Sequence, residues 1–137
     1  MDFKTQGSSL KVLVIEDCEF QSWVLLAKLR RFSCQTTRAK NGREAVDLYL
    51  EGKKFDIILC DKEMPIMKGP EAIVKIRSMG STMGSTEVKI VGMSADSNAT
   101  EEFMSVGADM FVPKPMDFEV LEAIIKEVIN KKNNGVV

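Results

Sequence analysis

Three carboxylates in this chain stand where short apolar runs end. Glu16 and Asp17 follow Lys11–Ile15, and Asp61 follows the unbroken run Ile57–Cys60. Two further runs end in groups of other chemistry: Val88–Met93 leads to Ser94, and Asp109–Val112 leads through Pro113 to Lys114. Carboxylates brought together repel unless a cation joins them. A hard divalent ion takes oxygen ligands, and magnesium commonly takes one or two carboxylates with phosphate and water. A lysine adds a fixed positive charge and a serine hydroxyl adds a donor. Ion, ammonium and hydroxyl together match the three terminal oxygens of a phosphoryl group. These residues therefore point to phosphoryl transfer onto a carboxylate. The chain has no histidine. That removes Ser-His-Asp and Cys-His catalysis and His-ligated zinc, and leaves magnesium or calcium as the metals to consider.

Such a site needs elements that deliver all five side chains to one place. Strands are expected at Lys11–Ile15, Cys34–Arg38, Phe55–Asp61, Val88–Met93 and Asp109–Val112. The third is apolar without alternation, as a strand covered on both faces must be. Helices are expected at Glu19–Phe32, Arg43–Leu50 (after an Asn41-Gly42 turn), Pro70–Met79 and Asn98–Val106. A last helix, capped by Asp117, carries the stripe Leu121, Ile124, Ile125 and Val128. Strand and helix alternate throughout, which predicts an α/β fold with a parallel sheet and helices on both faces. For five strands the doubly wound order 2-1-3-4-5 follows. Its ligand crevice lies at the carboxyl ends, between strands 1 and 3. Gly80–Thr86 reads as a small-residue loop, residues 1–9 as a flexible tail and residues 10–132 as the domain. The chain from Lys131 on reads as a second tail, with 133–137 outside the domain.

Composition bounds the partners. A length of 137 residues suits one domain, and 45% hydrophobic with 28% charged residues is ordinary for a globular chain. A net charge of −1 gives no sign of nucleic acid. No apolar run approaches the roughly 20 residues that cross a bilayer. The three cysteines, Cys18, Cys34 and Cys60, have no metal or redox spacing and suit a reducing setting. The expectation is a cytoplasmic monomer, nuclear as well if the source is eukaryotic.

The motifs resemble those of response-regulator receiver domains, the CheY-like family, over about residues 10 to 132. The resemblance is carried by Val-Leu-Val-Ile-Glu-Asp, Asn-Gly-Arg-Glu-Ala, Asp-Lys-Glu-Met-Pro-Ile-Met-Lys-Gly, Met-Ser-Ala and Pro-Lys-Pro, in that order. In wording the third run is most similar to short plant response regulators and to receivers of hybrid kinases. The resemblance implies a flavodoxin-like fold and a two-component or phosphorelay function. It implies Asp61 as phosphoacceptor from a phosphohistidine on a phosphotransfer protein or histidine kinase. Glu16, Asp17, Asp61 and the Glu63 backbone carbonyl would hold Mg2+. Lys114 would pair with the acceptor and then with the phosphoryl group. Ser94 and Phe111 would move on phosphorylation, and the Lys114-Pro115 bond would be cis. Glu16 stands where aspartate is commoner, and the Gly80–Thr86 loop is longer than usual.

The first helix has two apolar sides. Leu25, Leu29 and Phe32 share one, while Phe20, Trp23, Val24 and Ala27 fall roughly opposite. One helix cannot turn both to a sheet. The surplus side is expected to dock the phosphodonor, unless the Met1–Ser9 tail covers it. Met64, Met67 and Met93 could add an adaptable rim. Met1 and the polar start read as a complete chain. With no output domain after residue 132, the signal would leave by protein contact, or phosphate would drain from a relay. Alternatives are a receiver excised from a hybrid histidine kinase, a flavodoxin-like cofactor protein and an aspartyl-nucleophile phosphatase. Against the flavin reading, no Gly-rich or Ser/Thr-rich loop follows strand 1. Against the phosphatase, the nucleophile is not on the first strand.

Overall fold

The computed structural model describes residues 10–82 and 88–134. Strands β1 (Lys11–Ile15), β2 (Gln35–Ala39), β3 (Ile57–Asp61), β4 (Lys89–Ser94) and β5 (Met110–Pro113) form one parallel sheet, ordered β2-β1-β3-β4-β5. Helices α1 (Glu19–Arg30), α2 (Gly42–Leu50), α3 (Gly69–Thr82), α4 (Ala99–Ser105) and α5 (Phe118–Asn134) alternate with them.

The period of two along a strand divides the core into two halves. Val12, Val14, Ile57 and Leu59 face one side, where α1 supplies Leu25 and Leu29 and α5 supplies Leu121, Ile124, Ile125 and Val128. Leu13, Ile15, Ile58 and Cys60 face the other, against Ala45 and Val46 of α2, Ile73 and Ile76 of α3 and Phe103 of α4. Every residue of β3 is buried. That is why its run shows no alternation: both faces are covered. Gly92 on β4 lets α4 come this close, because a Cβ there would lie 2.3 Å from the Phe103 ring.

Several boundaries differ from expectation. The first helix ends at Arg30, and Ser33 adopts a positive φ of 62° to turn the chain. Phe32 is still buried, so the apolar stripe outruns the helix that carries it. This turn moves β2 one residue along, to Gln35–Ala39. Asn41 is the cap of α2, with its side-chain oxygen accepting the Glu44 N–H at 2.9 Å, so that helix starts at Gly42. Helix α3 runs to Thr82, so Gly80–Thr82 are helical where a loop was expected. The rest of that loop, residues 83–87, lies outside the described residues, as do 1–9 and 135–137. The tail expected from Lys131 is largely helix. Lys131 and Lys132 stand in the last turn of α5, where basic side chains suit the helix dipole. Lys132 also reaches Asp56 at 3.1 Å. No described helix is long and apolar enough to cross a membrane.

Candidate active site

The parallel register brings the strand ends to one edge. Ile15 lies opposite Cys60 and Asp61 opposite Met93, so the residues that follow β1 meet the last residue of β3. Glu16 is buried at 2% exposure, Asp17 is exposed and Asp61 is buried at 8%. One carboxylate oxygen from each lies within 4.8 Å of the others. Arg38 at the end of β2 fixes the turn after β1. Its guanidinium donates to the Glu16 carbonyl at 3.2 and 3.1 Å and to the Asp17 carbonyl at 3.2 Å. The Cys18 N–H donates to Glu16 Oε2 at 3.1 Å, which holds this carboxylate inward.

Lys114 enters from the end of β5. Its backbone N–H donates to the Ser94 carbonyl at 3.0 Å, and the Lys114-Pro115 bond is cis. Its ammonium lies 2.7 Å from Glu16 Oε1 and 3.0 Å from Asp61 Oδ1. A third acceptor, Gln21 Oε1 on α1, is 2.7 Å away. Burial raises the Glu16 carboxyl above its ordinary range, and the nearby Asp61 charge adds to this; the hydrogen bonds from Lys114 and Cys18 work against it. Burial pulls the Lys114 ammonium down, but its bonds to Glu16 and Asp61 outweigh this, and the net direction is up. The lysine is thus held charged between two carboxylates.

Ser94 is buried, and its hydroxyl oxygen accepts the Asp96 N–H at 3.0 Å. Phe111 is half-buried beside Phe103, with ring centroids 6.0 Å apart. The Glu63 side chain is exposed and spans Lys62 at 3.8 Å and Lys68 at 3.5 Å. The loop after Asp61 is tightly wound. Met67 N–H bonds the Pro65 carbonyl at 2.7 Å, with Ile66 between them at a φ of 71°. That γ-turn conformation is strained for a β-branched residue. The loop is also tied outward: the Gly42 N–H donates to the Met67 carbonyl at 2.9 Å, and Lys62 pairs with Glu102 on α4 at 3.1 Å. Phe20 and Trp23 of α1 are 70% and 63% exposed, and Phe20 lines a cavity of about 370 Å³ between α1 and the segment Lys114–Met116.

Glu16, Asp17, Asp61 and Lys114 therefore meet as sequence reasoning expected. Gln21, Arg38 and the Lys62–Glu102 pair were missed. Each acts across a long sequence separation and carries no local signature. The three carboxylates are hard oxygen donors at a spacing that fits a small divalent cation.

The profile of the response regulator receiver domain matches residues 12–126. The chain belongs to this family. The receiver is 51% identical over 135 residues to the two-component response regulator ORR42 of rice, covering 98% of each chain. Among solved structures it resembles the co-crystal of the yeast phosphotransfer protein Ypd1 with the receiver domain of Ssk1. There the TM-score is 0.83 at 26% identity, with 90% of this chain and 91% of that one covered. It also resembles the receiver of the sensor kinase PA1611 from Pseudomonas aeruginosa, which holds a magnesium ion in its active-site cleft. The TM-score is 0.77 at 25% identity, over 90% and 99% of the two chains. The receiver is thus a two-component signalling domain with the sheet order the sequence implied.

Proposed function

We propose that Asp61 accepts a phosphoryl group from a phosphohistidine of a histidine-containing phosphotransfer protein. The observation that carries this is the Lys114 ammonium 3.0 Å from Asp61 Oδ1 within the three-carboxylate cluster. An Asp61 oxygen forms the new P–O bond while the P–N bond to the donor imidazole breaks, and that nitrogen keeps the electron pair. Lys114 balances charge on the carboxylate before transfer and on the phosphoryl oxygens after it. Glu16, Asp17, Asp61 and the Glu63 carbonyl would hold Mg2+, which supplies neutralising charge at the same oxygens.

Two further roles accompany this reading. Ser94 releases the Asp96 N–H and turns its hydroxyl to the phosphoryl group, and Phe111 moves inward along Phe103. The exposed pair Phe20 and Trp23 receives the donor protein.

Intact mass after incubation with acetyl phosphate and magnesium tests the acceptor. Wild type gains one phosphoryl group and Asp61→Asn gains none; equal labelling of both would remove Asp61 from the role. Trp23→Ala tests docking. Transfer from the protein donor should slow while labelling by acetyl phosphate persists, and an unchanged protein-donor rate rejects the docking face.

A further inference from the structure

We infer that Gln21 is a positioning residue for Lys114 and ties the catalytic ammonium to α1. This rests on the proposed phosphoryl transfer to Asp61. An ammonium has three donors. In this receiver they meet Glu16 Oε1 at 2.7 Å, Asp61 Oδ1 at 3.0 Å and Gln21 Oε1 at 2.7 Å. Gln21 is the neutral one of the three. The two carboxylates change their charge balance during the reaction, as one becomes an acyl phosphate and both are candidates for a cation. The amide does not. It keeps hold of the lysine while its charged partners exchange.

The link also has a mechanical side. Seven residues along α1, about two turns, Lys28 donates to the Met116 carbonyl at 2.9 Å. Gln21 and Lys28 thus lie on one face and both bond the segment Lys114–Met116, either side of its cis bond. Phe20 and Trp23 flank Gln21 on the same helix. A shift of α1 is carried directly to the ammonium. A free lysine side chain samples many rotamers. Holding it pre-places the charge where phosphoryl oxygens develop.

The test compares wild type with Gln21→Met, which keeps size and removes the acceptor, and Gln21→Glu, which restores one. The first readout is the reactivity of each lysine toward trace acetic anhydride, read by peptide mass spectrometry. The second is the rate of Asp61 labelling by acetyl phosphate. In Gln21→Met, Lys114 should become roughly three- to tenfold more reactive than in wild type, about the net worth of one ordinary hydrogen bond. The other lysines should stay unchanged, the melting temperature should fall by no more than about a few degrees, and the labelling rate should fall by a similar three- to tenfold factor. In Gln21→Glu, Lys114 should be as protected as in wild type or more so. Unchanged Lys114 reactivity, or an unchanged labelling rate, in Gln21→Met overturns the positioning role while labelled wild type leaves the acceptor assignment intact. Wild type that takes no phosphoryl group overturns the acceptor assignment, and the positioning role with it.

Discussion

A Cβ on Gly69 would lie 2.0 Å from the carbonyl oxygen of Asp61 and 2.8 Å from Cys60 Sγ. The first helical residue of α3 thus packs directly on the backbone of Asp61. The contact closes the loop, whose Gly69 N–H also donates to the Lys62 carbonyl at 3.0 Å. Gly69→Ala must displace main chain rather than a flexible side-chain end. It should destabilise by about 3 kcal/mol and slow Asp61 labelling. Urea unfolding checks the first and intact mass the second. A midpoint equal to wild type would mean that the loop yields more easily than its packing indicates.

Lys114→Met leaves Glu16 and Asp61 buried without their shared cation. Breaking a buried pair typically costs about 3 kcal/mol, and losing the charge at the transferring group should slow labelling on the order of 10²-fold. Added magnesium should return part of the lost stability, since it replaces the missing positive charge. Thermal melts with and without the ion measure this. Full labelling activity in the variant would remove Lys114 from the chemistry.

Asp61→Asn should raise the melting temperature in chelator. The cluster holds three carboxylates against one ammonium, so removing one negative charge relieves repulsion although it weakens the bond to Lys114. Magnesium should stabilise wild type more than the variant, because only wild type offers the full acidic set. A lower melting temperature for the variant would mean that the Lys114–Asp61 pair outweighs the repulsion.

Alkaline pH should destabilise the receiver from pH 9 upward. Burial, helped by the Asp56 charge, lifts the Cys34 thiol from 9.0 to about 11. Burial also lifts Tyr49 from 10.0 to about 12, and pushes the Cys60 thiol up further than Cys34. For groups raised on folding, the stabilising contribution is complete below the unfolded value and lost as pH rises toward the folded one. Urea midpoints should therefore fall between pH 9 and 11, and the fall should be shallower in Cys34→Ala. A flat profile would show that these groups ionise as readily in the folded chain as in the unfolded one.

The strand order and the strand-end residues were legible because each rests on local pattern. The run Ile57–Cys60 announces a strand buried on both faces, and the residue closing that strand, Asp61, falls where such sheets place their sites. Gln21 was not legible. On a helix beginning Glu19-Phe-Gln-Ser it looks like one more exposed polar residue, and its partner is 93 positions away. Arg38 is similar: in sequence it closes a weak strand, while in the fold it holds the turn that presents Glu16 and Asp17. Helix ends misled for another reason. Gly80 is a poor helix former, yet α3 continues through it to Thr82. At α5 the basic last turn and the bond from Lys132 to Asp56 extend the helix past the point where apolar periodicity stops.

Arg38 also bears on the backbone oxygens beside the proposed cation site. Its guanidinium already occupies the carbonyls of Glu16 and Asp17, so two oxygens beside the acidic cluster are spoken for and face a fixed positive charge. A calcium ion, which wants about six to eight oxygens, finds a meagre shell. A magnesium ion, content with a few carboxylates and its own waters, does not need the missing carbonyls. With Mg2+ held as proposed, part of any preference for it over calcium would be set from the second strand, outside the carboxylates.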